Sequence, residues 1–210
     1  MMRVLVADDH AVVRRGVLQI LAEMPEVIAA DEAASGREVL QAVGEQDYDL
    51  VVLDVAMPGG GGLEALKQLQ ALKPGMPVLI LSIYPEKQYA LRALRAGAAG
   101  YLTKESAPEE LVAAIRHVVQ GKKYISRSLA EALAAELAGQ ASQEPHQTLS
   151  DREYQVMCRL AAGKTVTEIA EELSLSVKTV STYRTRILDK LNLENTAEIV
   201  RYAIQRGLVE

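Results

Sequence analysis

Residues 50–58 read Leu-Val-Val-Leu-Asp-Val-Ala-Met-Pro, four apolar residues followed by Asp54 and a Met-Pro turn. The start of the chain has the same form, because apolar residues 4–7 lead directly into Asp8 and Asp9. Short apolar runs that end in this way are typical of strands buried in a parallel sheet. In such sheets the functional groups gather just beyond the carboxyl ends of the strands. We therefore expect these three carboxylates to lie close together.

The composition is that of an ordinary globular protein, with 49% apolar and 24% charged residues among 210. No apolar run approaches the roughly 18 residues of a membrane-spanning helix, so we expect no membrane association. A single cysteine, Cys158, cannot form an internal disulfide, which favours the cytoplasm. The net charge of −5 argues against a general nucleic-acid binder. However, residues 148–210 contain nine basic and nine acidic residues, so the acidic excess lies in residues 1–147.

Strand and helix patterns alternate five times before about residue 120. This alternation predicts an α/β domain, residues 1–120, in which helices cover both faces of a doubly wound, five-stranded parallel sheet. Ser106 is the expected cap of its last helix, before Pro108. Residues 121–147 are a predicted linker, with a short Ala-rich helix at 129–137 and a flexible polar tether at 139–147. Residues 148–210 have four helical patterns (151–161, 166–173, 177–191 and 196–205) and are expected to form a separate all-α domain.

The predicted sheet places a metal site at its carboxyl edge. Asp9 and Asp54 would bind one Mg²⁺, with Asp8 acting through a water molecule. The backbone carbonyl of Ala56 would supply a further oxygen ligand. A site of this composition neutralises charge on an incoming phosphoryl group.

The remaining polar groups at this edge predict phosphoryl chemistry. Asp54 is the expected nucleophile and would become an aspartyl phosphate. Lys104, after the fifth strand, would bind a phosphoryl oxygen as a compact cation, and the Ser82 hydroxyl would bind another. Each residue alone could be an ordinary cap, turn or surface residue, but their shared position at strand ends favours one site. A phosphatase of the haloacid-dehalogenase type is less favoured, because Ala56 stands where those enzymes have a second Asp, and we predict no enzyme.

Residues 2 to about 120 resemble the receiver domain of bacterial response regulators. The resemblance rests on Asp8-Asp9, residues 53–59, Ser82, residues 97–101 and Lys104. It implies a flavodoxin-like fold and phosphoryl transfer from a histidine kinase. It also implies a switch pair, in which the Ser82 hydroxyl moves toward the phosphate and the Tyr101 ring turns inward. The sequence departs from the common pattern in the four glycines at 59–62, which predict a mobile loop, and in Glu105, where many receivers have proline.

Residues 166–191 have the pattern of a helix-turn-helix, whose second helix enters the major groove of DNA. Ile169, Ala170, Leu173, Val177 and Val180 form the expected apolar seam between the two helices. On the opposite face of the second helix, Lys178 and Arg186 are predicted to contact phosphates. The hydroxyl side chains there are predicted to reach base edges; they are Ser181, Thr182 and Thr185. Arg184 lies on the apolar side of the second helix. Either an ion pair within the domain or a DNA contact is compatible with that position.

Residues 149–153, 169–170, 176–180 and 190–191 resemble a LuxR-type DNA-binding domain, and the chain as a whole resembles the NarL/FixJ family of response regulators. Its recognition helix is similar to those of GacA- and BvgA-like members. The resemblance adds Tyr183 and Lys190 to the expected DNA contacts and implies a homodimer through the last helix. We therefore expect a phosphorylation-dependent transcription regulator that binds double-stranded DNA. A regulator that acts through protein partners alone would leave the polar face of residues 177–191 unexplained.

Overall fold

The computed structural model describes residues 1–57, 61–137 and 144–209. Two expected features therefore lie partly outside the described residues, namely the glycine loop at 59–62 and the tether at 139–147. The chain divides into two compact units, Met1–Ala134 and Ala135–Glu210. Within the described ranges, no helix combines the length and the apolar character that crossing a membrane requires.

The first unit is a five-stranded parallel sheet with strand order β2-β1-β3-β4-β5. This confirms the predicted doubly wound, flavodoxin-like fold. Its elements are β1 (Met2–Ala7), α1 (Ala11–Ala22), β2 (Val27–Ala33), α2 (Gly36–Glu45), β3 (Leu50–Leu53), α3 (Gly62–Leu72), β4 (Val78–Ser82), α4 (Glu86–Arg95), β5 (Gly100–Thr103) and α5 (Pro108–Val119). α6 (Arg127–Leu137) follows in the linker region.

The central strands carry the core because both faces of the sheet are covered. Every residue of β3 and β4 is buried, which explains why their sequences are continuous apolar runs without alternation. Tight packing of these strands fixes the positions of the polar residues that follow them. The carboxyl edge of the sheet is thus a rigid platform.

One predicted helix cap is wrong. Ala107, without a side-chain cap, occupies the position before α5, and the Ser106 hydroxyl lies 3.5 Å from Thr103 Oγ1 instead. Pro108, Glu109 and Glu110 do occupy the first turn, where proline and negative charge are favourable. These residues therefore start the helix without a polar cap.

The second unit is all-helical. After a 3₁₀ turn (Pro145–Thr148) it contains α7 (Asp151–Ala161), α8 (Val166–Glu172), α9 (Val177–Leu191) and α10 (Thr196–Gln205). α7 and α8 each begin with a capping box, formed by Ser150 with Glu153 and by Thr165 with Glu168. The buried apolar residues come from all four helices and include Tyr154, Met157, Ile169, Val180, Ile187 and Ile199.

Candidate metal centre and nucleic-acid interface

Four acidic or imidazole side chains converge beyond β1 and β3. Possible ligand atoms of Asp8, Asp9, His10 and Asp54 all lie within 4.8 Å of one another. Asp8 and Asp54 are 2% and 1% exposed, whereas Asp9 lies nearer the surface. Three carboxylates at this spacing repel one another unless a cation lies among them. Their oxygen atoms are the ligands that Mg²⁺ prefers, so the residues fit the expected ion.

Lys104 is the cation nearest to the buried pair. Its Nζ lies 2.6 Å from Asp8 Oδ2 and 2.7 Å from Asp54 Oδ2. Burial raises the pKa of the Asp54 carboxyl, and the Lys104 ammonium acts in the opposite direction. Burial lowers the pKa of Lys104, but attraction by Asp54 and Asp8 outweighs it, so that the pKa is raised overall. Lys104 is thus held as a charged group against the carboxylates.

The backbone around Asp54 is fixed by both neighbouring segments. The Asp54 N–H donates to the Ala7 carbonyl at the end of β1 (2.8 Å), and Asp54 Oδ1 accepts from the Ala56 N–H (3.0 Å). Gly62 closes the following loop with a hydrogen bond from its N–H to the Val55 carbonyl (3.0 Å). A Cβ on Gly62 would lie 1.8 Å from the Asp54 carbonyl oxygen. Only glycine at position 62 permits the backbone to approach Asp54 this closely.

The expected switch residues lie on the two adjacent strands β4 and β5. Ser82 is fully buried, and its Oγ accepts from the Tyr84 N–H (3.2 Å). Tyr101 is 3% exposed, so its ring is inward, and its hydroxyl donates to the Tyr84 carbonyl (2.8 Å). Burial is the main cause that raises the pKa of Tyr101. The Tyr84 ring stacks on Tyr89 with centroids 4.3 Å apart.

Two residues near the acidic cluster are not among the predicted site residues. His10, the residue before α1, has its Nδ1 2.9 Å from Asp9 Oδ1 and 3.2 Å from Asp8 Oδ1. Arg14 donates to the Asp8 carbonyl (2.7 Å) and pairs with Glu32 (2.9 Å). The adjacency of His10 to two aspartates was a usable signal. The contacts of Arg14 depend on the packing of α1 against β2, and no sequence pattern predicts them.

The helix α9 presents a polar face to solvent. Lys178, Ser181, Thr182, Thr185 and Arg186 are exposed, and Tyr183 is half-buried. Ser176 caps the helix by accepting from the Thr179 N–H (3.0 Å). The hydroxyls of Thr182 and Thr185 donate to the carbonyls one turn earlier, at 2.9 and 3.2 Å. Their oxygen atoms can still accept a hydrogen bond from a base edge.

Two basic residues of α9 are engaged within the domain. Lys190 Nζ lies 2.6 Å from Glu153 Oε2, and Glu153 is 2% exposed. Burial raises the pKa of the Glu153 carboxyl, but hydrogen bonds from Lys190 and Ser150 outweigh it, so the pKa is lowered. Arg184 Nε donates to Thr196 Oγ1 (2.7 Å) at the start of α10, where an ion pair or a DNA contact was expected.

One predicted member of the apolar seam is wrong. Val177 is 49% exposed, whereas Ile169, Ala170, Leu173 and Val180 are buried as expected. Val177 is the first residue of α9, and a helical side chain is directed toward the amino end of its helix, here toward solvent.

Comparison with known proteins covers both units. The family model "Response regulator receiver domain" matches residues 4–116, and "Bacterial regulatory proteins, luxR family" matches residues 147–203. The response regulator UvrY of Escherichia coli K12 is 37% identical over 99% of this chain and 96% of its own. The response regulator GacA of Pseudomonas aeruginosa PAO1 is 39% identical, with 100% and 99% covered. A structure of RcsB from Salmonella enterica serovar Typhimurium, bound to promoter rprA with the phosphomimetic BeF₃⁻, has a TM-score of 0.64 at 25% identity and covers 96% of this chain and 98% of its own.

Proposed function

This chain belongs to the NarL/FixJ family of two-component response regulators, and on that premise we propose that phosphorylation of Asp54 by a histidine kinase controls its binding to promoter DNA. The observation that carries the proposal is the contact of Lys104 with Asp8 and Asp54, beside Asp9. A nucleophilic carboxylate, a cation and oxygen ligands for a metal thus meet at one point.

The metal that suits this site is Mg²⁺. Asp9 and Asp54 would bind it directly, Asp8 through water and Ala56 through its carbonyl oxygen. When bound, it neutralises phosphoryl charge and orients the donor for in-line attack. His10 adds an imidazole at the rim of the site.

Phosphoryl transfer requires one new bond and one broken bond at phosphorus. A carboxylate oxygen of Asp54 attacks the phosphorus of the donor phosphohistidine, and the P–N bond breaks with its electron pair passing to the imidazole nitrogen. Lys104 would move from the Asp54 oxygen to a phosphoryl oxygen, where its charge is favourable. The chain acts as a phosphoacceptor and signal carrier in this scheme, and we assign it no separate enzymatic turnover.

Ser82 and Tyr101 would report the phosphorylated state. The Ser82 hydroxyl would donate to a phosphoryl oxygen while its Oγ still accepts from the Tyr84 N–H. The Tyr101 ring would be held in the inward position that it has in this structure, with its hydroxyl bonded to the Tyr84 carbonyl. The proposed switch is therefore a change in the position of the chain between Ser82 and α4.

DNA binding is assigned to the exposed face of α9. Lys178 and Arg186 would contact phosphates, and Ser181, Thr182 and Thr185 would reach base edges, with Tyr183 beside them. RcsB, whose structure is similar, has been solved with DNA. Lys190 was also expected at the DNA, and its ion pair with Glu153 makes it the weakest member of that set. α10, with Ile204 57% exposed, is the proposed homodimer contact. The proposed location is the cytoplasm, where a kinase and promoter DNA are both accessible.

Phosphorylation can be tested directly by intact mass. We expect the full chain, incubated with acetyl phosphate and Mg²⁺, to gain the mass of one phosphoryl group, and Asp54→Ala to gain none. Asp47→Asn is the matched control, because Asp47 is exposed and pairs only with Lys73 among the described contacts. A phosphoryl group on Asp54→Ala would refute the assignment.

A further inference from the structure

The linker begins as part of the receiver sheet. After α5 the chain returns along β5, where the Tyr124 N–H donates to the Ala99 carbonyl (2.8 Å) and Tyr124 forms a parallel bridge with Gly100. Lys123 Nζ donates to the Ala98 carbonyl (2.7 Å). A Cβ on Gly100 would lie 2.8 Å from the Tyr124 carbonyl oxygen, so this close approach needs glycine.

Ser126 joins this segment to two helices at once. Its Oγ accepts from the Leu129 N–H (3.1 Å), which caps the start of α6. The same hydroxyl donates to the carboxylate of Glu86, the first residue of α4. A hydroxyl can do both, because it has one donor hydrogen and two lone pairs. Leu129, in the first turn of α6, is buried.

The segment that leads to Glu86 is held by the proposed switch pair. Tyr84 donates its N–H to Ser82 Oγ and accepts at its carbonyl from the Tyr101 hydroxyl. Only Pro85 separates Tyr84 from Glu86, and its ring fixes φ, here at −57°. A displacement of Tyr84 is therefore passed on to Glu86 with little loss.

We propose that the Ser126–Glu86 hydrogen bond is a latch through which the switch controls the start of the linker helix. With Tyr101 inward, its bond to the Tyr84 carbonyl positions Glu86 to accept from Ser126, and α6 is fixed on the receiver. With Tyr101 outward, that carbonyl is released and the latch opens. The inference rests on the proposed function, because phosphorylation of Asp54, by favouring the inward ring, closes the latch. Coupling of this kind is reciprocal, so the latch in turn favours the inward ring.

Hydrogen exchange of the full-length protein tests whether the latch exists. Glu86→Ala removes the acceptor but leaves Ser126 able to cap α6, whereas Glu86→Gln retains an acceptor oxygen as the matched control. We expect amides 124–130 to exchange about fivefold faster in unphosphorylated Glu86→Ala than in wild type, and Glu86→Gln to stay within about twofold. Equal exchange in wild type and Glu86→Ala would overturn the proposal.

The same experiment after treatment with acetyl phosphate and Mg²⁺ tests the coupling. We expect phosphorylation to slow exchange of amides 124–130 in wild type, and this change to disappear in Glu86→Ala and in Tyr101→Phe, which lacks the bond to Tyr84. Intact mass of each sample reports phosphorylation separately. A wild type that gains no phosphoryl mass contradicts the proposed function, while the unphosphorylated comparison still decides the latch. A phosphorylated wild type with unchanged exchange in the linker contradicts the coupling.

Discussion

At the scale of single residues, the site depends on how closely charges and backbone approach Asp54. The sequence predicted that Asp8, Asp54 and Lys104 would meet, because parallel strands bring their carboxyl ends to one edge. The structure places Lys104 Nζ 2.6 Å from Asp8 Oδ2 and 2.7 Å from Asp54 Oδ2. The hydrophobic periodicity did not predict the position of Arg14. Its hydrogen bond to the Asp8 carbonyl depends on the direction in which a side chain of α1 extends toward the end of β1.

Gly62 provides a test of the close approach to Asp54. Gly62→Ala would place a Cβ 1.8 Å from the Asp54 carbonyl oxygen, so the loop must shift. We expect a loss of about 2–4 kcal/mol in the free energy of unfolding, measured with denaturant, and slower phosphorylation by acetyl phosphate.

The matched control is Gly44→Ala in α2, where nothing lies within 4 Å of the added carbon. This substitution should stabilise the chain by about 0.5–1 kcal/mol, because alanine is the better helix former. Equal effects of the two substitutions would show that crowding at Asp54 is not the reason for Gly62.

At the scale of elements, helix and strand periods predicted nearly every segment, and the errors lie at helix ends. Val177 has the spacing of a seam residue, but it is the first residue of α9 and is exposed. Lys190 remains a predicted DNA contact, and its ion pair with Glu153 on α7, 37 residues earlier, was not predicted. A contact between elements so distant in sequence depends on how the helices pack, which periodicity does not specify.

The exposed face of α9 gives a prediction about salt. Lys178→Ala should weaken binding to all DNA sequences alike and lower the slope of log K against log salt by roughly 1, because one phosphate contact is lost. Fluorescence anisotropy with a labelled duplex at several salt concentrations measures this slope. Lys73→Ala, an exposed change on the receiver, should leave it unchanged. A changed sequence preference in Lys178→Ala would mean that Lys178 reads bases.

The Lys190–Glu153 pair predicts a dependence of stability on pH. The pKa of Glu153 is lowered in the folded chain, so its ion pair with Lys190 stabilises the fold at pH above the usual value of 4.5. This stabilisation is lost as pH falls through the folded pKa of Glu153. Lys190→Met should therefore cost about 1 kcal/mol at pH 7, a modest figure because Lys190 is 41% exposed, and less below pH 4.

Lys164→Met is the control for this pair. Lys164 has the same exposure, but its partner Glu172 is itself 38% exposed, so the cost at pH 7 should stay within about 0.5 kcal/mol. Denaturant unfolding at pH 7 and pH 4 distinguishes the two. A cost for Lys190→Met that does not change with pH would contradict the electrostatic origin.

At the scale of the whole molecule, two units with different chemistry are joined through a linker that starts inside the receiver. The alternation of strand and helix patterns, followed by four helical patterns, predicted both architectures. It did not predict that Tyr124 forms a bridge at the edge of β5, because a single bridge and a few side-chain bonds leave no periodic signal. The predicted linker at residues 121–147 thus begins as a segment docked on the receiver.

The central claim is that the phosphorylated state of Asp54 controls DNA binding. The most direct measurement is the affinity of the full-length protein for its promoter DNA, by anisotropy at fixed salt, before and after treatment with acetyl phosphate and Mg²⁺. We expect wild type to bind about tenfold or more tightly after phosphorylation, in line with a coupling of 1–3 kcal/mol, and Asp54→Ala to bind equally weakly in both conditions. The same affinity for phosphorylated and unphosphorylated wild type, with phosphorylation verified by mass, would contradict the account.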